Sequence, residues 1–140
     1  MSAEENKALN RRFFDEFWDR KNLTVADELM AANHVNYTPG TPPLPPGPEG
    51  FKQFATVFMS AFPDLRVMIE DQIAEGDRVA TRWSSTGTNT GSLMGIPPTG
   101  KSINVTGITI TRIVGGKATE TWTNFDMLGL LQQIGVAPAP

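Results

Sequence analysis

An α+β domain is predicted by two features of the sequence. Apolar residues recur at helical spacing up to Pro63 and alternate at strand spacing beyond it, and the alternating stretches are joined by short glycine-containing turns. Helices grouped first and an antiparallel meander afterwards put one layer against the other. A sheet bent round helices leaves a cone-shaped hollow. At 140 residues and 15.3 kDa the chain fits a single domain, 1–140.

The first helix opens at Ser2, which forms a capping box with Glu5: hydroxyl and carboxylate each satisfy a free amide. Leu9, Phe13 and Phe17 follow at i, i+4 and i+8, and Phe14 and Trp18 widen the stripe into a core-facing side. Thr24 with Asp27 marks a second, shorter helix carrying Ala26, Leu29 and Met30. Six of the eleven prolines then lie in Pro39–Pro48 (PGTPPLPPGP). Proline lacks an amide proton and fixes φ, so this stretch reads as a stiff connector, with a lid over a ligand site as the alternative. A third helix begins near Pro48, buries Phe51, Phe54, Phe58, Ala61 and Phe62, and stops at Pro63.

Val67, Ile69, Asp71 and Ile73 alternate along the first strand of the meander, up to a turn at Glu75-Gly76-Asp77. Arg78–Asn89, rich in Thr and Ser, is the next strand, and the loop Gly91–Gly100 (GSLMGIPPTG) leads to Ser102–Val114. Gly115-Gly116 makes a tight hairpin into Lys117–Phe125, so the four strands form an antiparallel meander. The apolar phase slips at Gly107, from Ile103 and Val105 to Ile108 and Ile110, which predicts a β-bulge there. Asp126 caps a last helix carrying Met127, Leu130, Leu131 and Ile134.

Composition narrows the function. A net charge of −3 argues against nucleic acid, which is bound by clustered Lys and Arg. Without cysteine there are no disulfides or thiolate ligands, and a single histidine, His34, excludes a multi-histidine metal cage. No apolar run reaches the length of a membrane span and the N-terminus is acidic, so a cytoplasmic protein without metal, membrane or nucleic-acid partner is expected. Phosphate loops, nucleophile elbows and dinucleotide fingerprints are missing; Thr86–Gly91 is too poor in glycine to cradle phosphate well.

The groups able to move a proton are few. Asp71 shares the phase of Val67, Ile69 and Ile73, which would set a carboxylate in an apolar wall and raise its pKa; a bulge or strand-end carboxylate near the Gly76 turn is the alternative. Asp126 is a second candidate base, with capping as its competing task. His34 could shuttle a proton, or be a hydrogen-bonded structural group. Tyr37, the only tyrosine, could donate to a ligand carbonyl or pack under the proline loop. Trp83 and Trp122 could line a pocket for a planar ligand or fill the core. Glu120 is expected to pair with Arg82 on a neighbouring strand.

The strings FPDLRVMIEDQIAEGDRVATRW, TGTNTG and GIPPTGK, followed by GGK…ETW…FD…GLLQQIG, resemble the SnoaL-like polyketide cyclases of the nuclear transport factor 2-like superfamily. The resemblance runs from the first helix to Gly135. It implies a cone of three N-terminal helices on a curved antiparallel sheet with a short C-terminal helix, an apolar pocket, no metal or organic cofactor, and a homodimer formed through the sheets. The best understood relatives close a polyketide ring by aldol condensation, an aspartate taking the proton beside a carbonyl; others isomerise or rearrange.

Aligned on GGK and FDMLG, that aspartate falls on Thr123, and the family's histidines fall on Thr109 and Asn89, while its asparagine after the second helix matches Asn36. Threonine and asparagine do not titrate near neutral pH. The expectation is therefore a cofactor-independent cyclase- or isomerase-type protein acting on a polycyclic, terpenoid or polyketide-like carbonyl compound. Asn36, Tyr37, Trp83, Asn89, Thr109 and Trp122 would contact substrate beside Thr123, and Asp126, Asp71 or His34 would move the proton. A non-catalytic binding or dimerisation module is the alternative. A cavity wall without a carboxylate would favour binding.

Overall fold

A computed structural model describes residues 2–139. The capping box is formed: the Ser2 hydroxyl accepts from the Glu5 amide at 3.1 Å, and the Glu5 carboxylate from the Ser2 amide at 3.1 Å. It opens α1 (Ala3–Phe13), which continues into a π-helical segment, Phe14–Asp19, that the sequence pattern did not announce. The i→i+5 spacing of a π turn sets Trp18 on the face of Phe13, so the stripe stays inward as it lengthens. Asp19 at its end pairs with Arg66 at 2.8 Å, which holds the carboxyl below its usual range and ties the segment to the sheet.

After α2 (Val25–Leu29) comes β1 (Met30–Tyr37), then the proline connector and α3 (Pro48–Ala61). The meander follows as expected: β2 (Arg66–Glu75), β3 (Arg78–Thr88), β4 (Ser102–Val114) and β5 (Lys117–Phe125), ending in α4 (Met127–Gln133). The sheet has five strands in the order β1-β5-β4-β3-β2, not the expected four. The addition is β1, parallel to β5, with Val35 opposite Glu120 and Tyr37 opposite Trp122. Its partner arrives last in the chain, after α3 and the meander have intervened, so nothing local marks the pairing.

The bulge expected at Gly107 is not there. Gly107 lies in regular register, opposite Trp83 and Phe125. The alternation of burial runs unbroken through β4, so Gly107, Thr109 and Thr111 face inward while Ile108 and Ile110 face out. The phase slip thus reports apolar residues changing faces, not an extra residue. Gly107 is needed for another reason: a Cβ there would stand 2.3 Å from the Trp83 ring. The real irregularities lie between Met30 and Val35 on β1, between Ile69 and Asp71 on β2, and between Arg112 and Ile113 in the β4–β5 ladder. On β2, Glu70 is the extra residue, and it turns Asp71 and Ile73 to the outer face.

The core lies between the helices and the inner face of the sheet. Phe13 stacks on Phe17 with centroids 4.8 Å apart, and Phe51 and Phe54 continue the aromatic layer. Phe17 and Phe62 are fully buried. No described helix is long and apolar enough to cross a membrane.

Candidate functional site

One cavity lies between the two layers, with a free volume of about 90 Å³. Its helical wall is aromatic: Phe13, Phe14 and Trp18 from the first helix and its π extension, and Phe51, Phe54 and Phe58 from α3. Its sheet wall carries hydroxyl groups, because inward positions of adjacent strands fall in register: Thr109 lies opposite Thr123, and Thr111 opposite Thr121. Ser85 and the amide of Asn10 add polar atoms, and the Trp83 ring closes the end against Gly107. An aromatic wall facing a hydroxyl-bearing floor suits a planar apolar molecule with oxygen atoms along one side.

These hydroxyls are already partly engaged. The Trp83 indole donates to Thr109 at 3.0 Å, and the Thr109 and Thr123 hydroxyls share a hydrogen bond of 2.9 Å. Asn10 donates to Thr81 at 2.6 Å. The Thr121 hydroxyl lies 2.9 Å from the amide oxygen of Asn36 and 3.2 Å from Nε2 of His34. His34 sits behind Thr121, 1% exposed, edge-on to Phe51 with centroids 5.6 Å apart. Burial alone lowers its pKa from the usual 6.5 to about 4, so the imidazole is neutral at pH 7.

The sequence-predicted residues divide by location. Thr109, Thr123 and Trp83 line the cavity, and Asn36 reaches its edge through Thr121. The other substrate-contact candidates lie elsewhere. Tyr37 and Trp122 stack on each other at 5.6 Å on the outer face of the sheet, with Arg78 over the Trp122 ring. Asn89 is buried as a clamp on the loop before β4: its amide donates to the Gly91 carbonyl at 2.8 Å and accepts from the Thr99 amide at 3.0 Å.

Neither aspartate candidate reaches the cavity. Asp71 is exposed beside Arg82, because the Glu70 bulge reverses the side chains beyond it. Asp126 accepts from the Gly129 amide at 2.8 Å, which is the capping task. Glu120 meets Arg112 at 3.4 Å rather than Arg82, since Arg112 is its register partner. Among the described residues no Asp, Glu or His lines the cavity, and no three such side chains gather to hold a metal. The polar lining residues that composition and pattern missed are Thr111, Thr121, Ser85 and Asn10; alternation from Thr109 and Thr123 would have found the two threonines.

Comparison with known proteins agrees with this architecture. The sequence matches the family model of the SnoaL-like polyketide cyclases over residues 8–134. Among solved structures, a candidate SnoaL-like polyketide cyclase from Jannaschia sp. CCS1 is 27% identical, with a TM-score of 0.88 over 98% of this chain and 95% of that one. A candidate polyketide cyclase from Acidithiobacillus ferrooxidans is 31% identical, with a TM-score of 0.84 over 99% of this chain and all of the other. AclR from Streptomyces galilaeus, named as a candidate hydroxylase, is 30% identical, with a TM-score of 0.86 over 99% of this chain and 89% of that one. No curated protein matches the sequence. Helices on one face of a five-stranded sheet, an aromatic-walled cavity between them and a family match over nearly the whole length lead to one assignment: the chain belongs to the SnoaL-like polyketide cyclase family.

Proposed function

We propose that this protein is a cofactor-independent enzyme of the cyclase or isomerase type, acting on an apolar, ring-bearing carbonyl compound held in the cavity. The observation that carries the reading is the pairing of an aromatic wall with inward threonine hydroxyls, which would stack on a ring and hydrogen-bond its oxygen atoms. Similar structures named for both cyclase and hydroxylase chemistry support a fold whose reaction is set by the residues lining its hollow.

The free volume of about 90 Å³ is well under the roughly 300–1,000 Å³ of typical ligand pockets, so a ring enters only as the aromatic wall parts. Aldol closure by a carboxylate at position 123 is not available to a threonine. On substrates that depend on such a base the rate should fall by about 10²–10⁴-fold. The lack of a lining carboxylate favours a second reading, a pocket that binds such compounds without converting them.

Titration with planar ketones, followed by product analysis, separates the two. Saturable binding with conversion supports the enzyme, binding without conversion supports the second reading, and no saturable binding of any planar ketone contradicts both. The outer face of the sheet, with Tyr37, Ile73, Ile108 and Ile110 exposed beside Trp122, supports a two-fold homodimer as part of the same proposal.

A further inference from the structure

We infer that Thr121 is the proton-transfer group of the cavity, with His34 and Asn36 behind it as the residues that position and relay its proton. The inference rests on the reading that the cavity is the substrate site. Three observations converge on Thr121. Its side chain lines the cavity from β5. Its hydroxyl donates to Asn36 Oδ1 at 2.9 Å, and His34 Nε2 lies 3.2 Å away, an alternative acceptor when the ring carries its proton on Nδ1. Finally, His34 is the chain's one histidine, it is buried, and its hydrogen bond to a cavity-lining side chain is to this hydroxyl. With Thr123 in place of a carboxylate, no other lining side chain among the described residues is hydrogen-bonded to a titratable group.

The geometry defines a balanced step. A proton on the substrate, from a hydroxyl or from the carbon beside a carbonyl, passes to Thr121 Oγ1 as the threonine's own proton passes to His34 Nε2. The bonding electron pair stays on the substrate as an enolate or alkoxide, Thr121 ends as it began, and His34 carries one added proton. The reverse transfer returns that proton to a different atom of the isomerised or ring-closed product, so no co-reactant is consumed.

Asn36 fixes the starting geometry, because its Oδ1 also accepts from the Thr38 hydroxyl at 3.2 Å and so is held in place. Burial keeps the His34 ring uncharged across the neutral range, and the step uses the tautomer with the proton on Nδ1, which leaves Nε2 free to accept. The charged groups on the elements packed around it are Asp27 and Glu28 on α2, Glu49 and Lys52 on α3, and Lys117 and Glu120 on β5. None of them is hydrogen-bonded to the ring; Lys52 is paired with Asp27 and Glu49, and Glu120 with Arg112. Desolvation, rather than a neighbouring charge, is what shifts His34.

The test uses the full chain and 2-tetralone, an apolar bicyclic ketone whose hydrogens beside the carbonyl exchange in D2O. Exchange is read by NMR against buffer, and binding by tryptophan fluorescence. The expected result is binding and protein-accelerated exchange that is level above about pH 5 and falls as His34 gains a proton near pH 4. Thr121→Val should lower the accelerated rate by at least about tenfold, with tetralone affinity within about threefold of the parent. Thr121→Ser should retain most of the rate, His34→Gln should lose it together with the acid limb, and Asp71→Asn should change nothing. Binding without accelerated exchange overturns the relay and leaves the pocket standing, as does acceleration that survives in a folded, tetralone-binding Thr121→Val. If tetralone does not bind, the substrate-site reading fails and the relay fails with it.

Discussion

His34 shows how a single residue links stability to the site. Its imidazole is neutral when folded, with a pKa of about 4, whereas in the unfolded chain it would bind a proton near pH 6.5. Between those values the unfolded state binds more protons, so stability is complete above pH 6.5 and falls as pH drops towards 4. A difference of that size corresponds to roughly 3 kcal/mol. Urea midpoints from pH 4 to 7 should show that slope in the parent and a flatter one in His34→Gln; equal slopes would contradict the buried neutral imidazole. Thr123→Asp is the complementary change. A carboxyl placed beside Thr109, where the hydroxyls now meet at 2.9 Å, gains an apolar setting that raises its pKa. It should cost about 1–3 kcal/mol of stability. It should also add ketone exchange with a pH profile that reports a carboxylate, and an unchanged profile would count against position 123 facing the substrate. Anchoring on GGK and FDMLG placed Thr109 and Thr123 without a structure, since residue types survive strand pairing. Alternation from Val67 and Ile69 put Asp71 in the apolar wall, whereas its alternative, a bulge, is what the structure has, and one bulged residue reverses every side chain beyond it.

Elements whose signals are local were readable. The Ser2 capping box, the Pro48 start of α3, the Gly115-Gly116 hairpin and the Asp126 cap each depend on residues a few positions apart, and each is present. Features set by distant partners were not readable. The parallel seat of β1 depends on β5, the π segment carries Trp18 against Phe51 and Phe54 of α3, and the threonine floor needs β4 and β5 in register. Gly107 is instructive, because a phase slip with two explanations, a bulge or an exchange of faces, was resolved only by its neighbours. At this scale Asp126→Ala should cost about 1 kcal/mol by uncapping α4, and leave ketone affinity unchanged. A large loss of affinity at full stability would instead return Asp126 to the site.

For the whole molecule, apolar side chains lie on both faces of one sheet, inside against the helices and outside at Tyr37, Ile73, Ile108 and Ile110. The inner set holds the cavity, and the outer set is the surface proposed to meet a second copy. Light scattering at tens of micromolar should give twice the 15.3 kDa chain mass, and Ile108→Lys should return it to the monomer with the cavity intact. A 15.3 kDa species for the parent would remove the dimer. The central claim concerns the inner face, and the three tryptophans report on it directly. Trp18 and Trp83 line the cavity, while Trp122 stacks on Tyr37 outside. In a proton–nitrogen correlation spectrum, 2-tetralone should move the Trp83 and Trp18 indole signals with the amides of Thr109, Thr111, Thr121 and Thr123, and leave Trp122 in place. Movement of Trp122 and Tyr37 with the threonines unmoved would contradict the assignment of the cavity as the ligand site.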